Sequence, residues 1–241
     1  MGNMHYHHRN TTSELAQLLA EDVAIRLKTA IAARGKAILV VSGGSTPKPF
    51  FACLSKQTLD WEKVIVTLAD ERCVDESDHQ SNALLVKEHL LTNHAATATF
   101  KPLYTEKPTH QESASAASDL LAELPRYDVV VLGMGGDGHT ASIFPEAANR
   151  DQALDPWQSQ QALLVDPVTV TPLRVTQTKR RLLHTNFLAL HITGEEKAQL
   201  LAHIIQNPKP ETWPIAALIT QDEIPLHIYS DSSTAAPMPS T

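Results

Sequence analysis

Ala37-Ile38-Leu39-Val40-Val41-Ser42-Gly43-Gly44-Ser45-Thr46-Pro47 is the stretch on which the fold turns. Its five leading residues form an unbroken apolar run, the pattern of a strand buried on both faces in a parallel sheet. The run breaks into a glycine pair. Pro47 then suits the first turn of a helix that carries Phe50, Phe51 and Leu54.

The same alternation continues on both sides. Upstream, Ser13 and Glu14 open a helical stretch in which Leu15, Leu18, Leu19, Val23 and Leu27 recur until Gly35 stops it. Downstream, 64–68 predicts a strand ending in Ala69-Asp70-Glu71-Arg72, and Ser81-Asn82 caps a helix over 83–91. A further helix is expected over 110–124. A third strand over 128–132 runs into Gly133-Met134-Gly135-Gly136-Asp137-Gly138-His139. Strands over 187–192 and 226–229 flank a helix over 195–205. This order predicts the α/β class: a Rossmann-like, open, mainly parallel sheet flanked by helices. Residues 1–241 read as one domain with flexible ends at 1–12 and 232–241, and 146–180 is the least regular region.

Composition narrows the function. Of 241 residues, 42% are hydrophobic, enough for a full core, which excludes a disordered chain. Twenty Lys and Arg against 27 Asp and Glu leave a net charge of −7, the wrong sign for a nucleic-acid surface. No apolar run approaches the roughly 18–20 residues of a membrane span, and the N-terminus lacks an apolar signal core. The expected setting is therefore cytoplasmic, without membrane or nucleic-acid partners. Cys53 and Cys73 make no disulfide framework and read as packing residues.

Three strand ends carry unusual chemistry, and in open α/β sheets ligands collect at such ends. Six of the nine glycines fall in two of these loops. Ser42-Gly43-Gly44-Ser45-Thr46 offers backbone N–H groups and two hydroxyls to an anion. It is not a Walker loop, because Lys48 stands where that motif needs glycine. Asp70-Glu71-Arg72 can place one acid in a site and one outside it, with Arg72 free to clamp a phosphate. Gly133-x-Gly135-x-x-Gly138 matches the dinucleotide fingerprint formally. Pro145 follows too soon for a crossover helix, so the loop is read as a turn presenting Asp137 and His139.

Together, Ser42-Gly-Gly-Ser-Thr-Pro47, Asp70-Glu-Arg72 with Ser81-Asn82, and Gly133-Met-Gly-Gly-Asp-Gly-His-Thr-Ala-Ser-Ile-Phe-Pro145 resemble the 6-phosphogluconolactonases. These sit in the wider superfamily of sugar-phosphate isomerases that includes glucosamine-6-phosphate deaminase. Arg174-Val175-Thr176 and Gly194-Glu-Glu-Lys197 resemble further family elements, and the likeness runs over roughly 13–231. Arg72 after the acid pair, and the residues that follow His139, favour the lactonase over its deaminase relatives. Gln177 departs from the pattern, standing where an apolar residue is usual, and 74–80 lack the family's proline-rich character.

The resemblance implies the sugar-phosphate isomerase fold and hydrolysis of a small sugar-phosphate lactone, 6-phospho-D-glucono-1,5-lactone, with no cofactor and no metal. It implies His139 as general base, supported by Asp137 or Asp70, a choice left open. Gly44, Ser45, Thr46, Arg72 and Lys197 would surround the phosphate, with Arg174 a further candidate. A deaminase-like enzyme and a non-catalytic sugar-phosphate-binding module are the alternatives. The oligomeric state is not specified.

Overall fold

All five residues of the run at 37–41 are buried, and they lie inside a seven-stranded sheet whose pairings are all parallel. The computed structural model describes residues 3–232. In chain order the strands are β1 (Met4–His8), β2 (Ala37–Val41), β3 (Val64–Leu68), β4 (Asp70–Arg72) and β5 (Thr99–Phe100). They continue with β6 (Val129–Leu132), β7 (Ala162–Val165), β8 (Arg174–Gln177), β9 (Leu188–Ile192) and β10 (Leu226–Ser230). The helices are α1 (Thr12–Arg34), α2 (Lys48–Leu54), α3 (Asn82–His89), α4 (His110–Ala122), α5 (Arg150–Leu154), α6 (Lys179–Leu183), α7 (Glu195–Gln206) and α8 (Ala216–Ile219).

The main sheet runs β1-β10-β9-β6-β2-β3-β5. From β2 the chain builds outward to β3 and β5, then crosses back to β6 on the other side of β2. The β2–β6 boundary is therefore the switch point, where loops leaving the carboxyl ends diverge and open a crevice. The turn at 42–46 leaves β2 there, and the turn at 133–139 leaves β6.

Helix α1 seals this region with Leu15, Leu19, Val23 and Leu27, packing on α2, β2, β6 and β10. The Thr11 hydroxyl caps its start by accepting the Glu14 N–H at 3.2 Å, and left-handed Gly35 ends it. Helix α4 opens on a capping box between Thr109 and Glu112 and packs on β7 and β8. No described helix is long and apolar enough to cross a membrane.

Two expectations need correction. The N-terminal end expected to be loose is not so over residues 4–8: β1 pairs in parallel with β10 from Met4↔Leu226 to His8↔Ser230. Its inner face is made of imidazoles, with His7 stacked on Tyr229 at 4.3 Å and His5 on His227 at 4.7 Å. Such a strand has no apolar alternation to read. The region 146–180 is more ordered than expected, since β7 and β8 join β4 in a second, antiparallel sheet, β4-β8-β7. Asp70-Glu71-Arg72 is thus a short strand, and Arg72 faces Arg174 in register. From 233 onward the other expected loose end lies outside the described residues. After β6 the next helix is α5, so no crossover helix opens on Gly138, which agrees with the rejection of a dinucleotide loop.

Candidate active site

The crevice at the switch point holds a cleft of about 250 Å³. Its walls are the 42–47 turn with Phe50 and Phe51 of α2, the start of the 133–139 turn, and Asp70 and Arg72 of β4. Asn82, Ala141, His191 and Lys197 complete it.

The turn after β6 is drawn tight by the Gly135 N–H, which donates to the His139 carbonyl at 2.9 Å. A Cβ on Gly135 would lie 2.1 Å from His139 Cε1, so the imidazole rests against bare backbone that only glycine supplies. Phe144 packs on the ring at 4.4 Å between centroids. Asp137 Oδ1 lies 2.5 Å from His139 Nδ1 and also accepts the His139 backbone N–H at 3.1 Å. Partial burial works to raise the Asp137 carboxyl, but the hydrogen bond and charge of His139 hold it below the usual carboxylate range. An ionised carboxylate can only accept, so Nδ1 carries a proton, and in the neutral imidazole Nε2 is then the nitrogen with the lone pair. Of the two acids left open by sequence, the geometry pairs Asp137 with His139.

Asp70 has a different task. Its Oδ2 accepts the Ser142 hydroxyl at 2.5 Å, while the Ser142 N–H donates to Thr176 Oγ1 at 3.2 Å. Thr140 Oγ1 donates to the Gly133 carbonyl at 2.9 Å. The loop carrying His139 is thus stitched to β4, β8 and the end of β6. Glu71, on the opposite face of β4, accepts the backbone N–H groups of Asn82 at 2.8 Å and Ala83 at 2.7 Å. Burial pushes its carboxyl up to about 6, against the pull of those N–H groups. One acid faces the cleft and its neighbour holds the start of α3.

Arg72 lines the cleft and donates to the Gln80 carbonyl, which anchors it to the loop before α3. Lys197, in the first turn of α7, enters from the far side. Seven of the nine residues singled out from sequence line the cleft: His139, Asp70, Gly44, Ser45, Thr46, Arg72 and Lys197. Asp137 acts on it through His139. Arg174 is not among the residues that line it. It is buried behind Arg72 on β8, where burial and the Arg72 charge both depress its pKa.

Three polar groups in the lining have no described hydrogen-bond partner: Ser42 Oγ, Asn82 Oδ1 and both ring nitrogens of His191. Asn82 Nδ2 donates to the Asp70 carbonyl at 3.0 Å, and its amide lies where a Cβ on Gly43 would come within 1.8 Å. That approach is why the first glycine of the pair is needed. Burial drives the His191 imidazole down to about 4; Asp231 opposes the shift and Lys197 adds to it. Sequence reasoning assigned no role to His191. The available signal was a lone polar residue in the otherwise apolar run 187–192.

The site is that of an α/β protein that gathers a glycine-rich turn, two cationic side chains and an Asp–His pair at one switch point. The chain belongs to the family described as glucosamine-6-phosphate isomerases/6-phosphogluconolactonase, whose profile matches residues 10–226. Within that family it is similar to the 6-phosphogluconolactonase of Rhizobium meliloti, at 45% identity over 94% of this chain and 97% of the relative. The 6-phosphogluconolactonase of Pseudomonas putida is 42% identical over 89% of this chain and 88% of its own. A crystal structure of a 6-phosphogluconolactonase from Shewanella baltica superposes with a TM-score of 0.91 at 39% identity, covering 94% of this chain and 97% of that one.

Proposed function

We propose that this protein hydrolyses 6-phospho-D-glucono-1,5-lactone to 6-phospho-D-gluconate, the second step of the oxidative pentose phosphate pathway. The observation that carries the reading is the Asp137–His139 pair, 2.5 Å apart, at the edge of a cleft that also holds Arg72, Lys197 and the 42–46 turn. The names of relatives at 39–45% identity over nearly the whole chain support the same substrate.

The lactone is an activated cyclic ester, so the chemical demand is modest. His139 Nε2 removes a proton from water as the water oxygen bonds to C1. The tetrahedral intermediate then collapses, the bond from C1 to the ring oxygen breaks, and the imidazolium returns its proton to that oxygen. Asp137 fixes the tautomer and steadies the imidazolium. The phosphate, held by the hydroxyls of Ser45 and Thr46 with Arg72 and Lys197, places C1 against the water through binding energy remote from the reacting bond.

The test is a hydrolysis assay coupled to oxidation of 6-phosphogluconate, read within the first seconds because the lactone also opens spontaneously. A rate well above background is expected. Background alone, with ammonia released from glucosamine 6-phosphate, would move the chain to the deaminase side of its family.

A further inference from the structure

His191 has a setting that packing does not explain. It is the fourth residue of β9, 2% exposed, with the apolar run 187–190 before it and Ile192 after it. Buried ring nitrogens normally find a partner inside the protein, because an unmet polar group away from water is costly. Here both Nδ1 and Nε2 lack one among the described residues, and the ring lines the cleft. Its position within the cleft is specific. The Phe50 ring of α2 meets it edge-on at 6.1 Å, and α2 is the helix that follows the Ser45–Thr46 turn. Two residues beyond His191, β9 gives way to Thr193-Gly194, which opens the helix bearing Lys197. His191 therefore touches the helix that follows the Ser45–Thr46 turn and lies just before the helix bearing Lys197, on the strand whose Leu190 pairs with Leu132 at the end of β6. The Ser42 hydroxyl, also unpartnered, lines the same cleft.

We propose that His191 is a specificity-determining residue, a neutral imidazole on the cleft floor that donates one ring N–H to an oxygen of the ligand's phosphate. The assignment rests on the lactonase reading for the identity of the ligand. A neutral donor is the chemistry the site calls for. Lys197 already stands nearby, and a second buried cation beside it would repel it whenever the site is empty. A neutral imidazole keeps one donor and one acceptor whether or not ligand is bound. It thus adds recognition of the phosphate without adding charge to a pocket whose cations are Arg72 and Lys197.

His191→Leu removes both nitrogens at similar bulk, and His191→Gln returns an N–H. With the Leu variant, KM for the phosphorylated lactone and the Kd of 6-phosphogluconate measured by calorimetry should both rise roughly ten- to hundredfold, the loss of a hydrogen bond to a charged group. Hydrolysis of unphosphorylated glucono-1,5-lactone should stay within about twofold of the parent, and Gln should recover part of the lost affinity. Equal loss of rate on both lactones would mark His191 as structural and overturn the proposal. So would a Leu variant with unchanged KM and Kd. If the parent hydrolyses neither lactone above background, the lactonase reading fails alone. His191 is then judged by calorimetry with inorganic phosphate and 6-phosphogluconate, and parental binding that Leu leaves intact, or no parental binding at all, rejects it.

Discussion

The two ends of the parallel sheet bury polar groups on opposite terms. At the amino end two charged groups find their partners internally, while Arg26 Nε, over the Phe187 ring, has none among the described residues. Asp128, just before β6, accepts the Ile38 N–H at 2.8 Å and the Asn186 amide at 3.3 Å, and pairs with Arg34. Arg181 lies 3.9 Å over the Tyr127 ring and donates to the Leu124 and Pro125 carbonyls at 3.0 Å. At the carboxyl end Ser42 Oγ, Asn82 Oδ1 and the His191 nitrogens are buried in one cleft without described partners, and Arg174 Nη1 is buried without one outside its lining. Satisfied polar burial tightens a fold, whereas unsatisfied burial is tolerated where a ligand completes it. The contrast says which polar residues should matter for stability and which for activity.

The sharpest way to break that contrast is to cut one residue at each end. His139→Ala should lower kcat by roughly 10²–10⁴-fold, about 3–5 kcal/mol in barrier, with the urea midpoint nearly unchanged. Asp128→Ala strands the buried Ile38 N–H and should cost about 1–3 kcal/mol of stability while the folded enzyme keeps its kcat. Urea unfolding and initial rates on the same two preparations decide it. Both variants losing stability, or both losing rate, would erase the division between the ends.

Smaller effects sharpen the carboxyl end itself. Lys197→Ala should raise KM for the phosphorylated lactone roughly ten- to hundredfold and leave the unphosphorylated lactone nearly untouched. Arg72→Ala should act in the same direction, with an added loss of order in the loop before α3, because Arg72 also holds Gln80. Steady-state kinetics on the two lactones separate phosphate binding from chemistry. Equal losses on both substrates would remove these cations from the phosphate.

The same contrast explains what could be read from sequence. The turns at 42–46 and 133–139 were legible because each carries its own chemistry in a few consecutive residues, next to apolar runs that fix the strands. The second sheet was not, because β4 finds its partner about a hundred residues away and each strand is only three or four residues long. Gln177 shows the same limit. As a departure from the family pattern it offered no reason for itself. Folded, it accepts the Tyr127 hydroxyl at 2.9 Å and donates to the Leu68 carbonyl at 2.7 Å, so a polar residue is fully satisfied in the core. His191 stayed hidden for the complementary reason: what marks it is the lack of such partners, visible only once its surroundings are placed.

The smallest effect concerns pH and two acids of this end. Glu71 titrates at about 6 in the folded chain against 4.5 for an ordinary Glu, chiefly through burial. Between those values the folded state binds more proton than the unfolded, so the Glu71 contribution is greatest below about pH 4.5. It declines as pH rises through about 6 and is flat above. The span is about 2 kcal/mol at 1.36 kcal/mol per unit. Asp137 runs the other way: its lowered carboxyl lends stability above its unfolded pKa that is lost as pH falls through the folded value. Subtracting the urea stability of Glu71→Gln from that of the parent isolates the first slope, since all other groups titrate in both proteins. The difference should move against the parent from pH 4.5 to 6.5. A difference that moves in its favour would mean that the N–H groups of Asn82 and Ala83 outweigh burial and hold Glu71 ionised, as His139 holds Asp137.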